Sequence, residues 1–457
     1  MYSPQTIINP TNVGSLKLSW FTQLGGVAGT PVVTNGIVYV TALNHTIYAL
    51  NETTGKIIWA DGPRKQTGLR YSVNVDVTID QGNLITATTK NQLVSLDART
   101  GKKNWNASLI RDIVGSCYAY NGGPQATPLV YNGEVIFGMS PADNGARGFV
   151  RAYDESNGAL LWTFYTVPPC PITSSNQAFY QKSWGTDDSG CSCGGGAVWN
   201  LPALDPKRGI IYFGTGNPSP PSANKVFSPN PTLADLYTDS VIALNATDGN
   251  LIWYFQETLG DRHDYDQGMP VQVFTTTING VETEVVGAGS KNGYYYELDA
   301  ADGSLIHKTS LGIHAGSGKG LYPNGFGGVN SLYSYDPITN MIYVTAYNVD
   351  FKISAPINST LYAINASTGQ TVWSSFILGL GGGASSTNNL VFVADGTQHF
   401  LALDAQTGQI LWKFADTSGG YRGALWSWGP ASIVDGEVFE TMIGPTGGVI
   451  AFLPSTV

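Results

Sequence analysis

The sequence predicts an all-β protein built from one unit that is repeated eight times. The chain of 457 residues contains 56 glycines and 24 prolines, and its apolar and polar residues alternate over short segments, as in strands joined by turns. A pattern of the form apolar–Asp/Asn–x–x–x–Gly–x–x–x–Trp recurs along the chain. The two chain ends supply the two halves of one more copy. These observations together favour a closed repeat architecture.

The repeated pattern has a mechanical meaning that its first copy illustrates. Leu50 and Asn51 end an alternating segment, Gly55 follows four residues later, and Trp59 closes the copy. The Asn side chain is expected to cap a tight turn, and the glycine to supply the positive φ that such a turn requires. The closing positions of the seven intact copies are Trp59, Trp105, Trp162, Trp253, His307, Trp373 and Trp412. We interpret these aromatic residues as packing residues between repeats, with His307 standing where Trp is expected.

Each unit is predicted to form a four-stranded antiparallel sheet. Residues 37–41 and 46–50 alternate as strands, residues 29–33 add a strand after Gly and Pro, and the Trp segment adds a fourth. A single sheet of this kind cannot bury both faces, whereas sheets stacked around an axis can. We therefore expect one eight-bladed β-propeller that extends over residues 1–457.

The chain ends predict how this ring closes. Residues 16–20 resemble the end of a copy, and residues 449–453 resemble its beginning. The N-terminal strand should therefore complete the last blade, with Trp20 beside Phe452. The interval from Trp162 to Trp253 is 91 residues, against 39 for the shortest interval. The extra length falls at about 168–198 and 218–240, which we predict to be long functional loops.

Composition excludes several classes of function. The chain has 23 Lys and Arg against 33 Asp and Glu, a formal net charge of −10, and only 12% of its residues are charged. Such a chain is a poor candidate for binding nucleic acid or an anionic membrane surface. The sequence has no apolar run that approaches about 18 residues, so we expect no transmembrane helix.

The four cysteines bear on the cellular compartment. They are Cys117, Cys170, Cys191 and Cys193, and the Cys-x-Cys pair without a second Cys or His pair is not a zinc signature. We predict one or two disulfides that tether the loop at 168–198 to Cys117 or within itself, with free buried thiols as the alternative. No signal peptide follows Met1, so the chain is either cytosolic or has lost a leader. The disulfide prediction favours an extracytoplasmic protein.

The repeat, in eight copies with a shared last blade, resembles the tryptophan-docking repeat of quinoprotein dehydrogenases. These are the alcohol and methanol dehydrogenases that use pyrroloquinoline quinone (PQQ). Outer-membrane assembly lipoproteins and sensor ectodomains carry a similar repeat and bind no quinone. The interpretation therefore depends on whether the positions that hold the cofactor in the family are filled here.

Several segments resemble those positions closely. The resemblance places the quinone-stacking Trp at Trp199 and a metal-ligating Asn at Asn217, in segments 199–206 and 211–218. It places the catalytic Asp at Asp264, in Arg-His-Asp-Tyr-Asp, and a cation that contacts the quinone oxygens at Lys291. Asp143 stands where the family has a Glu ligand. The resemblance further assigns Ser140, Asn330 and Trp428 to cofactor binding.

The metal remains open at this stage. Asp266, two residues after Asp264, resembles an additional metal ligand of the lanthanide-type enzymes, whereas the calcium types often have a small neutral residue there. A trivalent ion favours more negative ligands, and the alternative is that Asp266 simply faces water. We therefore expect Ca²⁺ or a lanthanide ion, held by Asp143, Asn217, Asp264 and Asp266.

The chain also departs from the family pattern. The family's vicinal cysteine pair is absent, with Tyr71 and Ser72 near its place, and no Cys-x-x-Cys-His occurs, so we expect no fused haem domain. The resemblance implies a PQQ-dependent alcohol dehydrogenase that oxidises a small alcohol and passes electrons to a separate acceptor, such as a cytochrome. The alternative is an extracellular propeller without cofactor that acts as a scaffold or binding module. Assembly into an oligomer is compatible with both.

Overall fold

The computed structural model describes most of the chain and all eight predicted units. The described residues are 1–62, 76–88, 90–113, 124–139, 145–169, 177–185, 194–219, 230, 232–267, 269–311, 327–348, 358–415, 425–426 and 429–455. They form eight separate antiparallel sheets. The fold is an eight-bladed β-propeller with very little helix, as the sequence predicts.

The strands follow one another blade by blade, except that β1 (Leu16–Gln23) belongs to the last blade. Blade 1 contains β2 (Val32–Thr34), β3 (Ile37–Thr41), β4 (Ile47–Asn51) and β5 (Ile57–Asp61); blade 2 contains β6 (Thr78–Asp80), β7 (Asn83–Thr88), β8 (Gln92–Asp97) and β9 (Lys103–Ser108); blade 3 contains β10 (Leu129–Tyr131), β11 (Glu134–Met139), β12 (Phe149–Asp154) and β13 (Leu160–Tyr165); blade 4 contains β14 (Ala203–Asp205), β15 (Ile210–Gly214), β16 (Ser240–Asn245) and β17 (Leu251–Gln256).

The second half of the ring has the same plan. Blade 5 contains β18 (Gln272–Ile278), β19 (Val281–Gly289), β20 (Tyr294–Asp299) and β21 (Leu305–Ser310); blade 6 contains β22 (Gly328–Val329), β23 (Ser334–Asp336), β24 (Met341–Asn348), β25 (Asn358–Asn365) and β26 (Gln370–Leu378); blade 7 contains β27 (Ser385–Thr387), β28 (Leu390–Ala394), β29 (His399–Asp404) and β30 (Ile410–Ala415); blade 8 contains β31 (Leu425–Trp426), β32 (Ser432–Val434), β33 (Glu437–Ile443) and β34 (Gly448–Pro454), with β1 at its edge.

The repeated pattern joins each blade to the next, as its first copies show. Asn51 accepts a hydrogen bond from the backbone N–H of Thr54 at 2.9 Å, and Gly55 has φ of +67°. The Trp20 ring lies on Gly55, where a Cβ atom would come within 2.5 Å of it. Glycine is therefore required for the turn and for the docked ring. The glycines that receive the later closing residues are Gly101, Gly158, Gly249, Gly303, Gly369 and Gly408.

The ring closes through β1 as predicted, but the Trp20 ring lies on a different face from the one expected. Strand β1 pairs antiparallel with β34, and Trp20 is opposite Ala451 rather than Phe452. The Trp20 ring packs 6.0 Å from Phe439, centroid to centroid, whereas Phe452 packs 5.2 Å from Trp412. Neighbouring residues of a strand point to opposite faces, so the prediction that Trp20 lies beside Phe452 was wrong by one residue.

The core consists of apolar layers between neighbouring blades. The second and third strands of most blades are buried along their length, as in β15 and β28, whereas the fourth strands, such as β5 and β9, are largely exposed. The fourth strands therefore form the outer surface of the ring. The segments before and after the second and third strands meet at the two ends of the ring, where a binding site can form.

The long insertion of blade 4 is not wholly loop. Helix α1 (Gln177–Trp184) lies within the segment at 168–198. Trp184 is buried and donates a hydrogen bond to the carbonyl of Leu236 at 2.8 Å, while Ser183 accepts one from the backbone N–H of Leu236. The two insertions therefore pack on each other through these contacts. A short 3₁₀-helix, Val13–Ser15, precedes β1.

Candidate active site

Three of the predicted site residues lie in segments of neighbouring blades that meet at the same end of the ring. Asn217 follows β15 and Lys291 follows β19, which are the second strands of blades 4 and 5. Asp264 lies in the connection from β17 to β18, which links these two blades. Equivalent strands run in the same direction in every blade, so these segments emerge at one end of the ring. The topology thus brings together residues that are 27 to 74 positions apart.

Lys291 joins the two predicted carboxylates. Its Nζ atom lies 2.5 Å from Oδ2 of Asp266 and 3.3 Å from Oδ1 of Asp264. The side chains of Lys291 and Asp266 are 8% and 9% exposed, whereas that of Asp264 is 25% exposed. Asp264 is therefore the carboxylate of the pair that a substrate can reach. The short contact with Asp266 is a strong, charge-assisted hydrogen bond, and the contact with Asp264 is longer and weaker.

Asp266 is buried between two loops and does not face water, so that alternative was wrong. Its Oδ1 atom accepts a hydrogen bond from the backbone N–H of Asn217 at 2.6 Å. A Cβ atom on Gly216 would come within 2.9 Å of the same oxygen, so the Asn217 segment approaches it closely. With Oδ2 on Lys291, the carboxylate of Asp266 connects the Asn217 and Lys291 segments. The sequence did not indicate this connecting role.

Trp199 provides an aromatic face beside this cluster. Its ring centroid is 5.9 Å from Nζ of Lys291, within the range of a cation–π contact. Trp199 is half-buried and packs against the apolar cluster between blades 5 and 6, which includes Met269 and Val329. A half-buried indole against a rigid core can form the floor of a slot. The predicted stacking residue and the predicted cation therefore lie side by side.

Asn330 lies next to the Lys291 segment. It directly follows β22, in which the backbone N–H of Val329 donates to the carbonyl of Ser290 at 3.0 Å. Gly328 has φ of +69°, and a Cβ atom there would come within 2.2 Å of the carbonyl oxygen of Lys291. The chain can pass so close to Lys291 because residue 328 has no side chain. Asn330 itself is half-buried.

Several predicted residues lie outside the described residues. They are Ser140, Asp143, Trp428, the pair Tyr71 and Ser72, and the four cysteines, Cys117, Cys170, Cys191 and Cys193. Over the described ranges, no group of three or more His, Cys, Asp and Glu side chains is placed to hold a metal ion. Of the four predicted ligands, Asn217 has an amide side chain and so is not one of these residue types, and Asp143 lies outside the described residues. The four-residue metal site therefore stays a prediction.

Asp261 is a functional candidate that the sequence analysis missed. It is 1% exposed, and its two carboxylate oxygens accept hydrogen bonds from the backbone N–H groups of His263 and Tyr265, at 2.6 and 2.8 Å. These are the two residues that flank Asp264. An Asp that precedes a turn residue by three positions is a weak signal in a sequence this rich in Asp and Asn turns. The hydrogen bond from the backbone N–H of Tyr265 distinguishes Asp261 from an ordinary Asp turn, because it reaches the residue beyond Asp264.

The site carries an excess of buried acid. Burial raises the pKa of Asp261 to about 6, although its hydrogen bonds to Tyr265 and His263 oppose the change. Burial, together with the nearby Asp261 and Asp266, raises the pKa of Asp239 well above its usual value. Asp239 is fully buried and directly precedes β16 in blade 4. Such an acidic, water-poor environment favours a bound cation or retained protons.

Two models of known protein families match parts of the chain. The model of the glucose/ethanol/alcohol dehydrogenase β-propeller domain of the PQQ family matches residues 1–310. The chain belongs to the PQQ alcohol dehydrogenase family. It is therefore related to a family of oxidoreductases. A second model, that of the outer-membrane protein assembly factor BamB, matches residues 354–452.

Individual members of the family resemble most of the chain. The quinohemoprotein alcohol dehydrogenase ADH-IIG of Pseudomonas putida is 28% identical over 98% of this chain and 71% of its own length. The quinohemoprotein alcohol dehydrogenase of Comamonas testosteroni is 32% identical over 77% of this chain and 53% of its own length. The chain thus spans from about half to about 70% of the length of these curated relatives.

Solved structures support the fold. The Comamonas testosteroni quinohemoprotein alcohol dehydrogenase superposes with a TM-score of 0.83 at 25% identity, over 100% of this chain and 80% of that chain. A europium-containing methanol dehydrogenase superposes with a TM-score of 0.75 at 22% identity, over 98% of this chain and 88% of that chain. BamB from Moraxella catarrhalis reaches only 0.55 at 14% identity, over 95% of this chain. The propeller is therefore closer in shape to the dehydrogenases than to BamB.

Proposed function

We propose that this protein oxidises a small alcohol with bound PQQ and a metal ion, and that Asp264 is the base that takes the hydroxyl proton. The observation that supports this most strongly is the cluster of Asp264, Lys291 and Asp266 beside the face of Trp199. A PQQ enzyme requires a base, an aromatic floor, a cation near the quinone oxygens and oxygen ligands for a hard metal. We assign the base to Asp264, the aromatic floor to Trp199, the cation to Lys291 and part of the metal ligand set to Asn217 and Asp266.

The donor set fits the cofactor and its ion. The half-buried face of Trp199 is available for a planar ring system, and Lys291 presents an ammonium group 5.9 Å above that ring. Asn217, Asp264 and Asp266 offer amide and carboxylate oxygens, which Ca²⁺ and the chemically similar hard trivalent ions prefer. Each carboxylate oxygen has two lone pairs, so the contacts that Asp266 makes with Asn217 and Lys291 leave acceptor capacity. Asp143, Ser140, Asn330 and Trp428 complete the proposed site.

When bound, the quinone accepts the two electrons of the alcohol, and the metal ion polarises its carbonyl group. The protein's own contribution is to hold the base. Asp264 is the most exposed carboxylate of the cluster, and the ammonium of Lys291 at 3.3 Å provides a counter-charge for its ionised form. An ionised carboxylate at this position can accept the alcohol's hydroxyl proton as the carbon is oxidised. Asp266 holds Lys291 from the other side and so keeps the ammonium in place.

Location and electron transfer are part of the same proposal. We propose that the protein acts outside the cytoplasm and passes its electrons to a separate carrier, because a quinone that has accepted two electrons from an alcohol must be reoxidised before the next turnover. In the described part of the chain, no helix is long and apolar enough to cross a membrane. The partial match to BamB supports the other candidate, a propeller that binds protein and carries no cofactor.

The proposal is tested by removing the base while keeping its shape. Asp264→Asn should lower kcat for a primary alcohol by roughly 10²–10⁴-fold, the usual size of a general-base contribution. The binding of PQQ, followed by quenching of the tryptophan fluorescence, should stay within a few-fold of the wild type, since Trp199 and Lys291 are unchanged. Asp248→Asn, in an exposed turn of blade 4, is the matched control. An Asp264→Asn enzyme with full activity would show that the base is elsewhere.

A further inference from the structure

The backbone at Asp264 lies in the left-handed region, which among residues with a side chain is adopted mainly by Asn and Asp. Its φ is +60°, in the left-handed region where a Cβ atom is crowded by the backbone. Such conformations persist at functional sites only when the surrounding structure enforces them. The carboxylate reaches Lys291 from this conformation. A group that enforces the turn therefore also sets where the carboxylate points.

The side chain of Asp261 accepts hydrogen bonds from the backbone on both sides of this turn. Its Oδ1 atom accepts the backbone N–H of His263 and its Oδ2 atom accepts that of Tyr265, so one carboxylate bridges the two peptides on either side of Asp264. The rings of His263 and Tyr265 stack with centroids 5.0 Å apart and planes at 30°. The stacked rings agree with a sharp turn at the residue between them. With 1% exposure and both oxygens occupied by backbone donors, Asp261 is not itself a base for substrate.

The rest of the loop is fixed by other contacts. The hydroxyl of Ser290 donates to the carbonyl of Tyr265, and the backbone N–H of Lys291 donates to the carbonyl of Asp266, each at 3.2 Å. The backbone N–H of Gln267 donates to the carbonyl of Thr215 at 3.2 Å. These bonds fix the chain after Asp264 to blades 4 and 5. The turn at Asp264 itself is held by Asp261.

We infer that Asp261 is a positioning residue that sets the direction of the Asp264 carboxylate toward Lys291 and the alcohol. This inference rests on the proposed function, because it assigns Asp261 a role through the proposed base. A displacement of about 1 Å in a reacting group can lower a rate by about 10²-fold. Loss of the Asp261 bridge should therefore lower kcat without removing any group that touches substrate or PQQ.

The test combines two substitutions of Asp261 with a matched control. Asp261→Asn keeps the shape and one acceptor oxygen, and Asp261→Ser offers a shorter acceptor if the first variant folds poorly. Both should lower kcat about 10- to 100-fold, with KM for the alcohol and the affinity for PQQ within about threefold of the wild type. Asp336→Asn is the control, because Asp336 is equally buried and accepts backbone N–H groups of Ile338 and Thr339 in blade 6. It should lower the melting temperature similarly and leave kcat unchanged.

A double variant separates this inference from the proposed function. In the Asp264→Asn background, Asp261→Asn should produce no further loss of kcat, because the residue that it positions is already inactive. An Asp264→Asn enzyme with low activity beside an Asp261→Asn enzyme with wild-type kcat would overturn the positioning role and leave the base in place. Full activity of Asp264→Asn would overturn the proposed function first. A further loss in the double variant would show that Asp261 acts by another route.

Discussion

The blade junction that has His307 in place of Trp contains a buried acid, Glu297. Glu297 lies opposite His307 on β20 and β21, and its Oε2 atom is 3.1 Å from Nδ1 of His307. The residue is fully buried, and its Oε1 atom has no hydrogen-bond partner among the residues that the structure describes. Burial raises the pKa of Glu297 to about 8 and lowers the pKa of His307. Glu297 also contributes to the raised pKa values of Tyr295 and Tyr335, for both of which burial is the larger cause. We interpret the contact at neutral pH as a hydrogen bond between uncharged groups.

The size of the expected effect follows from that pKa. The folded protein retains the proton of Glu297 up to about pH 8, whereas the unfolded chain releases it near 4.5. Between these values the folded state binds more protons, so the free energy of unfolding falls as the pH rises. At about 1.4 kcal/mol for each pKa unit, ionisation of Glu297 lowers the free energy of unfolding by less than about 1 kcal/mol at pH 5 and by at most about 5 kcal/mol at pH 9. The buried location of the carboxylate is the cause of this penalty.

Replacement of the acid by its amide removes the titration. Glu297→Gln should have a free energy of unfolding similar to the wild type at pH 5 and a progressively higher one than the wild type toward pH 9. Denaturant unfolding at pH 5, 7 and 9 measures the difference, and the His307 contribution largely cancels because both proteins contain it. Glu282→Gln, on an exposed part of β19, is the control and should give no such trend. A difference between Glu297→Gln and wild type that does not change with pH would refute the reasoning.

Three further predictions follow from the closure, the metal and the cysteines. Trp20→Ala should destabilise the protein by about 2–4 kcal/mol, somewhat less than the loss of a fully buried Trp, because the half-buried Trp20 ring packs at the junction that closes the ring of blades. A melting temperature equal to that of wild type would contradict this, as it would for deletion of residues 1–20. Asp266→Asn keeps an acceptor for the Asn217 N–H but removes a charge, so it should weaken La³⁺ more than Ca²⁺ in a metal titration, and equal losses would argue against Asp266 as a ligand. Thiol titration of the native protein without reductant should find fewer than four free cysteines, and four would reject the disulfides.

The sequence predicted the fold well because the fold depends on a local pattern. The turn at Asn51 and Gly55 involves residues within one pattern, and each copy repeats the same packing on the next blade. The face on which Trp20 packs was predicted wrongly, since a one-residue difference in register reverses the side of a strand. Helix α1 was missed within an insertion that has no repeat to guide the prediction. Its place is fixed by contacts such as that of Trp184 with Leu236.

The sequence predicted individual site residues but not the contacts between the segments that hold them. Trp199, Asn217, Asp264 and Lys291 belong to recognisable segments, and the structure brings Asp264 and Lys291 into contact. The link from Asp266 to the backbone of Asn217, 49 positions away, depends on how blades 4 and 5 are placed. The bridge formed by Asp261 consists of side chain to backbone hydrogen bonds, and no sequence pattern indicates which backbone groups an Asp will bind.

The central proposal is that the protein binds PQQ and that the bound quinone is reduced by the two electrons of an alcohol. The most direct measurement is the absorbance spectrum of the purified protein reconstituted with PQQ and either Ca²⁺ or La³⁺, recorded anaerobically before and after addition of a primary alcohol. We expect tight, metal-dependent binding of PQQ and a spectral change to the reduced quinone in wild type, with a much slower change in Asp264→Asn. Absence of quinone binding, or bound quinone that no alcohol reduces with either metal, would contradict the proposed function and favour a propeller that carries no cofactor.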